Sequence, residues 1–224
     1  RYPLYIQRYC RIIKYWIKVC KSDNIILKKL YTMGLNDCNM GRKNWVSNVK
    51  KILDEYGFSH VFCNIDSVNT LTFPVIFKRH VIDCYVQEWS SSVERSAVLD
   101  EFRNFKDSFV YEDYLDLVPY NLRFYISKFR LASHSLRIHT GRFRQFSIPR
   151  NERYCLCCNL QDIEDTFHFI CVCPRFKELR MKYINKLYYI RPSVYKYNFL
   201  MKSINKNELR KLALFLKGAV DARN

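Results

Sequence analysis

Residues 151–175 read Asn-Glu-Arg-Tyr-Cys-Leu-Cys-Cys-Asn-Leu-Gln-Asp-Ile-Glu-Asp-Thr-Phe-His-Phe-Ile-Cys-Val-Cys-Pro-Arg, a stretch that holds five of the ten cysteines and one of the five histidines. Cys155 and Cys158 are separated by two residues, His168 follows after nine more, and Cys173 after a further four. Three thiolates and one imidazole, arriving as a Cys-x-x-Cys knuckle and a later His/Cys pair, form the donor set of a tetrahedral zinc site. Four protein ligands leave no position for an activated water, so the expected Zn2+ is structural. Cys157 and Cys171 are additional thiols within the same stretch. Cys173 is preferred to Cys171 because its longer gap from His168 lets the chain wrap the ion.

Outward on the C-terminal side, Pro174 occupies a favourable first helical position, and Phe176, Leu179, Tyr183, Ile184 and Leu187 extend an apolar stripe behind it. Arg191-Pro192-Ser193 breaks the chain. Helical patterns return around Tyr197 and Leu200, and from Asn207 through Leu209, Leu212, Leu216 and Val220, before a short polar tail.

On the N-terminal side, residues 121–153 carry Arg123, Lys128, Arg130, Arg137, Arg142, Arg144, Arg150 and Arg153 against the single acid Glu152. Arginine's planar fork matches phosphate oxygens and stacks on bases, so these cations are nucleic-acid-binding candidates. Leu122, Tyr125, Ile126 and Phe129 suit the core face of a helix. Phe143 and Phe146 lie in a stretch without helical period and are candidates for stacking on exposed bases. His134 and His139 read as solvated loop histidines. Tyr111 to Asp116 clusters carboxylates beside tyrosines, but no strand-like run flanks it, so it reads as a polar linker and not as a two-metal polymerase site.

The front of the chain is helical. Pro3 opens a pattern of Tyr5, Tyr9, Ile12, Ile13, Trp16, Ile17 and Cys20, with Arg8, Arg11, Lys14 and Lys18 as a cationic ridge on the remaining surface. Such a ridge can lie along a phosphate backbone or simply be solvated. Ser22-Asp23-Asn24 can cap a second helix from Ile25 to Leu35, and Gly57 stops a third that carries Trp45, Val49, Ile52, Leu53 and Tyr56. Residues 58–73 look irregular. A long pattern from Pro74 to Phe105 is expected to break near Ser90-Ser91-Ser92, and its His80 reads as structural. The isolated Cys10, Cys20, Cys38, Cys63 and Cys84 are expected to be buried as small hydrophobes.

Composition sets the limits. With 224 residues, 49% apolar and 16% aromatic, the chain can bury a core, and disorder is excluded despite a net charge of +17. Five glycines and six prolines favour helices over a turn-rich β architecture. The expected fold is therefore all-α: a multi-helix domain with a small CCHC zinc knuckle inserted before the C-terminal helices. The expected segments are a basic helical one (1–70), a central arginine-rich one (71–150), and the knuckle with the C-terminal helices (151–224). The charge makes nucleic acid the expected partner. No apolar run is long enough to span a bilayer, no secretion leader is seen, and ten cysteines fit a reducing compartment, so an intracellular location, nuclear or cytoplasmic, is expected. Arg1 at the front suggests part of a longer polypeptide. No phosphate loop, nucleophile elbow or zinc-protease motif occurs, and no enzyme activity is expected of this chain.

Three linked pieces carry a resemblance: Leu-Arg-Ile-His-Thr-Gly-Arg-Phe (136–143), Ile-Pro-Arg-Asn-Glu-Arg-Tyr-Cys-Leu-Cys-Cys (148–158) and Glu-Asp-Thr-Phe-His-Phe-Ile-Cys-Val-Cys-Pro-Arg-Phe (164–176). Together they resemble the C-terminal zinc-binding region of non-LTR (LINE-type) retrotransposon reverse transcriptases. Arg-Tyr-Pro-Leu at the front, with residues 44–59, is similar to the helical segment before it. The resemblance implies Cys155, Cys158, His168 and Cys173 as zinc ligands, in a non-catalytic module that binds RNA template or target DNA, downstream of a polymerase domain. The alternative is a zinc-stabilised helical protein-interaction module or a non-functional retroelement relic.

Overall fold

The computed structural model describes residues 2–143 and 147–223. Among them helices dominate and no strand occurs, and the one β feature is an isolated antiparallel bridge between Tyr154 and Ile163. The chain divides into two compact units, Arg1–Trp89 and Ser90–Asn224.

In the first unit, Pro3 precedes helix α1 (Leu4–Cys20), which buries Ile6, Cys10, Ile13, Trp16, Ile17 and Val19. The half-buried Tyr5, Tyr9 and Ile12 flank that face. Asn24 caps α2 (Ile25–Asn39) by accepting from the amides of Ile26 and Leu27. This helix runs four residues past the expected Leu35 and buries no side chain fully. Asn44 and Ser47 close a capping box at the start of α3 (Trp45–Glu55). Gly57 at φ +77° ends it, where the amide of Phe58 reaches the carbonyl of Leu53 and that of Gly57 the carbonyl of Asp54. The stretch expected to be irregular contains a short helix, α4 (Ser59–Cys63), and a 3-10 turn at Ile65–Ser67. The core is apolar: Ile13, Trp16, Val49, Leu53, Phe73 and Phe77 meet there with Val61 and Val81.

Helix α5 (Phe73–Arg95) passes through Ser90–Ser92 without the expected break. Serine costs a helix interior only a few tenths of a kcal/mol (roughly 0.5), and Val93, buried one residue later, anchors the last turn. The other expectation corrected here concerns the isolated cysteines, of which only Cys10 is fully buried and Cys63 is exposed.

The second unit contains α6 (Tyr114–Leu117), α7 (Tyr120–Arg130), α8 (Arg137–Thr140), α9 (Lys177–Tyr183), α10 (Lys186–Tyr189), α11 (Val194–Met201) and α12 (Lys206–Arg223). Asn185 separates α9 from α10 by capping the latter, so the helix behind Pro174 is shorter than expected and Leu187 is exposed. No boundary falls near residue 150, because the arginine-rich segment and the knuckle share one core. Ile126, Phe129, Leu136 and Ile138 pack in it with Phe169, Phe176, Leu212, Phe215 and Leu216. Phe129 stacks on Phe169 at 5.4 Å, and Phe169 meets Phe176 at 4.6 Å.

The segment expected to be a polar linker is a working part of this core. Tyr114 is buried, and Glu112 pairs with Lys106 at 2.6 Å and Arg130 at 3.0 Å. The chain end is not a free tail either. Arg223 pairs in two-pronged fashion with Glu164 at 2.7 and 2.9 Å.

Candidate metal centre and basic surface

The knuckle is built by a short antiparallel pairing. The amide of Cys155 donates to the carbonyl of Asp162, and that of Glu164 to the carbonyl of Arg153, which forces residues 156–161 into a tight reversal with Gln161 at φ +55°. The amide of Cys157 points at Cys155 Sγ, 3.4 Å away, a donor that favours the thiolate over the thiol.

The other two donors come from an unusual turn. Residues His168–Val172 form a π-helical turn, closed by the amide of Cys173 on the carbonyl of His168 at 2.7 Å. In an α-helix, residues five apart point about 140° away from each other. Widening the turn to an i→i+5 bond brings them under one another, so His168 and Cys173 can face one point. Buried Arg180 holds this geometry by donating to the carbonyls of Ile170 (2.7 Å) and Cys173 (2.8 Å).

The donor atoms of Cys155, Cys158, His168 and Cys173 all lie within 4.8 Å of one another. Cys155 Sγ and Cys173 Sγ are 3.9 Å apart, and Cys158 Sγ is 3.4 Å from His168 Nε2. Tetrahedral coordination with Zn–S near 2.3 Å and Zn–N near 2.0 Å places neighbouring sulfurs about 3.8 Å apart, and sulfur and nitrogen about 3.5 Å apart. The four residues therefore fit a metal ion. Asp162 Oδ2 lies 3.3 Å from His168 Nδ1 without closing a hydrogen bond to it. Burial pushes the Cys155 thiol well up, with Cys173 and Cys158 adding to the rise, and burial with Cys158 beside it pushes that of Cys173 to about 11. A dication reverses that balance, because a coordinating thiol is deprotonated outright.

Cys171 is absent from this set. It is buried in the apolar core, and burial pushes its thiol up to about 12. Cys157 approaches Cys155 and Glu164 instead.

The proposed nucleic-acid contacts sort by exposure. Arg8, Arg11, Lys14 and Lys18 are all exposed on α1, opposite its buried face. Arg142 and Arg150 reach the surface beside the knuckle, with Phe143 78% exposed between them in sequence. Arg142 touches the carbonyl of Ala97, and Arg150 lies 3.8 Å from Asp100. Arg137 is half-buried and reaches the carbonyl of Tyr154. Arg123 lies over the ring of Tyr120. Arg144 and Phe146 lie outside the described residues.

Arg130 and Arg153 are held inside the fold and are not surface contacts. Arg130 sits between Phe105 and Tyr114, paired with Glu112. Arg153 donates to the carbonyls of Ile138 (2.7 Å) and Ile148 (2.9 Å), pinning the loop that carries Arg142 and Phe143. Gly141 is needed there, since a Cβ would stand 2.8 Å from the carbonyl of Arg137 and 2.9 Å from Arg153 Nε.

His134 and His139 are also corrected. Both are buried, with ring centroids 4.6 Å apart. Burial, with the nearby charges of Arg142, Arg153 and Arg150 adding to it, pushes His139 down to about 4.

Glu164, fully buried, was not singled out by sequence reasoning. It joins α8, the knuckle and α12 by accepting from the amide of Arg137 as well as from Arg223. The available signal was its position inside the knuckle stretch, four residues before His168, directly after the apolar Ile163. Among the described residues no helix is long and apolar enough to cross a membrane. No family model, no curated protein and no solved structure matches the chain.

Proposed function

We propose that the chain is a non-catalytic, zinc-stabilised nucleic-acid-binding module of the kind found at the C-terminal end of LINE-type reverse transcriptases. On this reading Zn2+ is held by Cys155, Cys158, His168 and Cys173 as a CCHC knuckle and supplies a rigid clip, with no open coordination position. The partner is RNA template or target DNA, in an intracellular ribonucleoprotein, with a polymerase domain upstream in the same polypeptide.

The observation that carries the reading is where the charge lies. Residues 118–224 hold 21 lysines and arginines against 7 acids, and Arg142 and Arg150 flank exposed Phe143 in the sequence just before the knuckle. A field of that sign concentrates phosphate backbones at the surface. In the runner-up reading zinc only holds helices together for a protein partner. It draws on α2, where Ile26, Leu30 and Met33 fall on one helical face and are all more than half exposed.

Fluorescence anisotropy with labelled RNA and DNA oligonucleotides separates the two. The nucleic-acid reading expects affinity to fall about 100-fold between 50 and 200 mM salt, the value for roughly four neutralised phosphates. Arg142→Glu and Arg150→Glu should each weaken binding about 10-fold. Binding that ignores both salt and these substitutions would sink it.

A further inference from the structure

One face of α7 is built differently from an ordinary solvated helix surface. Its inner face buries Leu122, Ile126 and Phe129. Its outer face presents Tyr120, 80% exposed, and Phe124, 58% exposed, one turn apart. The Arg123 guanidinium lies over the Tyr120 ring at 5.2 Å, and Lys128 Nζ over the Phe124 ring at 5.8 Å. Its outer side carries Arg123 and Lys128 and no acid, with Arg123 also donating to the carbonyl of Leu115; the third cation, Arg130, is buried against Glu112. Two large rings left in water next to cations, on a helix whose other side is fixed in the core, form a preset aromatic and cationic platform.

We propose that this outer face binds a single-stranded stretch of nucleic acid, with bases stacked on Tyr120 and Phe124 and phosphates drawn to Arg123 and Lys128. The proposal rests on the nucleic-acid reading above and specifies the form of the ligand. Charge complementarity selects the occupant, since an acid-free helix at the start of the arginine-rich segment 121–153 favours a polyanion. The rings select among polyanions. A duplex has its base faces already covered, whereas an unpaired strand can offer them to aromatic side chains. Ring positions one helical turn apart are separated by about 6 Å, wider than the 3.4 Å between stacked neighbours, so the strand must be splayed and its bases taken singly. Phe143 is a separate, loop-borne ring; the α7 platform is held by regular structure.

The test uses the zinc-loaded full chain and labelled single strands of about 12 nucleotides, RNA in one arm and DNA in the other, beside the matching duplexes. The double variant Tyr120→Ala/Phe124→Ala should lose roughly 10- to 100-fold in affinity for single strands and less than about twofold for duplex, with an unchanged salt slope, because no cation is removed. Far-ultraviolet circular dichroism and metal content should match the wild type, since both rings are exposed. A second variant, Tyr120→Trp, should show indole fluorescence quenched by a single strand and not by duplex. An equal loss for both strand forms, or no loss for either, overturns the α7 proposal alone. So does a wild-type dimer that the double variant dissociates in sedimentation, which would assign the face to a second copy. Failure of the wild type to bind any oligonucleotide overturns the nucleic-acid reading and this proposal with it.

Discussion

The two compact units are held together by different means. In Arg1–Trp89 every fully buried side chain among the described residues is apolar, from Ile6 and Trp16 to Phe77 and Val81. In Ser90–Asn224 the interior also contains Arg130, His134, His139, Arg153, Glu164, Thr166, His168 and Arg180. The first is a packing problem solved by helical periodicity. The second depends on polar groups that must find partners and, on the proposed reading, on a cation that lets buried thiols ionise. A buried polar group left without its partner keeps its full desolvation penalty, whereas neighbours can partly close the cavity left by a trimmed apolar side chain. The second unit should therefore fail in a few discrete ways, and the first by degrees.

Metal removal is the largest expected effect and the sharpest way to break the comparison. Structural zinc contributes on the order of 10 kcal/mol in small knuckles, so strong chelation should expose the amides of residues 150–184 to hydrogen exchange while α1, α3 and α5 stay protected. Elemental analysis should return one zinc per chain. Unchanged exchange in chelator, or no bound metal, ends the metal reading.

Next in size are two side-chain removals, one in each unit. Glu164→Ala leaves Arg223 and the amide of Arg137 without their shared acceptor and should cost about 3–5 kcal/mol in urea unfolding, with partial loss of zinc. Phe77→Ala, in the apolar unit, should cost a similar 3–5 kcal/mol through its cavity, yet leave zinc content untouched. Loss of zinc in the Phe77 variant would show that the two units do not fail separately.

These contrasts follow what could be read from the sequence. Helices α1, α3 and α12 were legible because apolar spacing decides them, and the four ligand residues do converge. The role of the π-turn was not legible: sequence gives a His-x4-Cys gap, but only the i→i+5 turn explains why Cys173 faces the site and Cys171 the core. The buried arginines were read as surface, because a cation in a basic stretch looks solvated until its partner is located. Arg130 finds Glu112 across the α6 turn, and Arg223 finds Glu164 from the far end of the chain. Arg180 carried a signal of its own, since it falls within the apolar stripe that includes Phe176, Leu179 and Tyr183.

A smaller effect sharpens the ligand assignment. Cys173→Ser should abolish stoichiometric zinc. Cys171→Ser should keep it and cost only about 1–3 kcal/mol, the penalty for a hydroxyl in an apolar pocket. Zinc loss in the Cys171 variant with retention in the Cys173 variant would exchange their roles.

The smallest effect concerns the buried histidine pair, for which the apolar unit has no counterpart among its described residues. His134 Nδ1 accepts from the amide of Leu136, and its buried Nε2 has no hydrogen-bond partner, so protonation would break one bond and strand a charge. Burial pushes His134 down to about 3, assisted by His139 and Lys128, and His139 to about 4. An unfolded histidine titrates near 6.5. Because the folded values lie lower, the unfolded chain takes up more protons at acid pH. The stability of the neutral pair is thus complete above about pH 6.5 and is lost as pH falls towards 4 and then 3, at about 1.4 kcal/mol per pH unit for each ring. Zinc release complicates bulk unfolding in that range, so the decisive measurement is the ring carbon resonance of each histidine by NMR. Neither should titrate above about pH 5, and an inflection near 6.5 at either would mean that the second unit's polar interior is open to water, unlike the first.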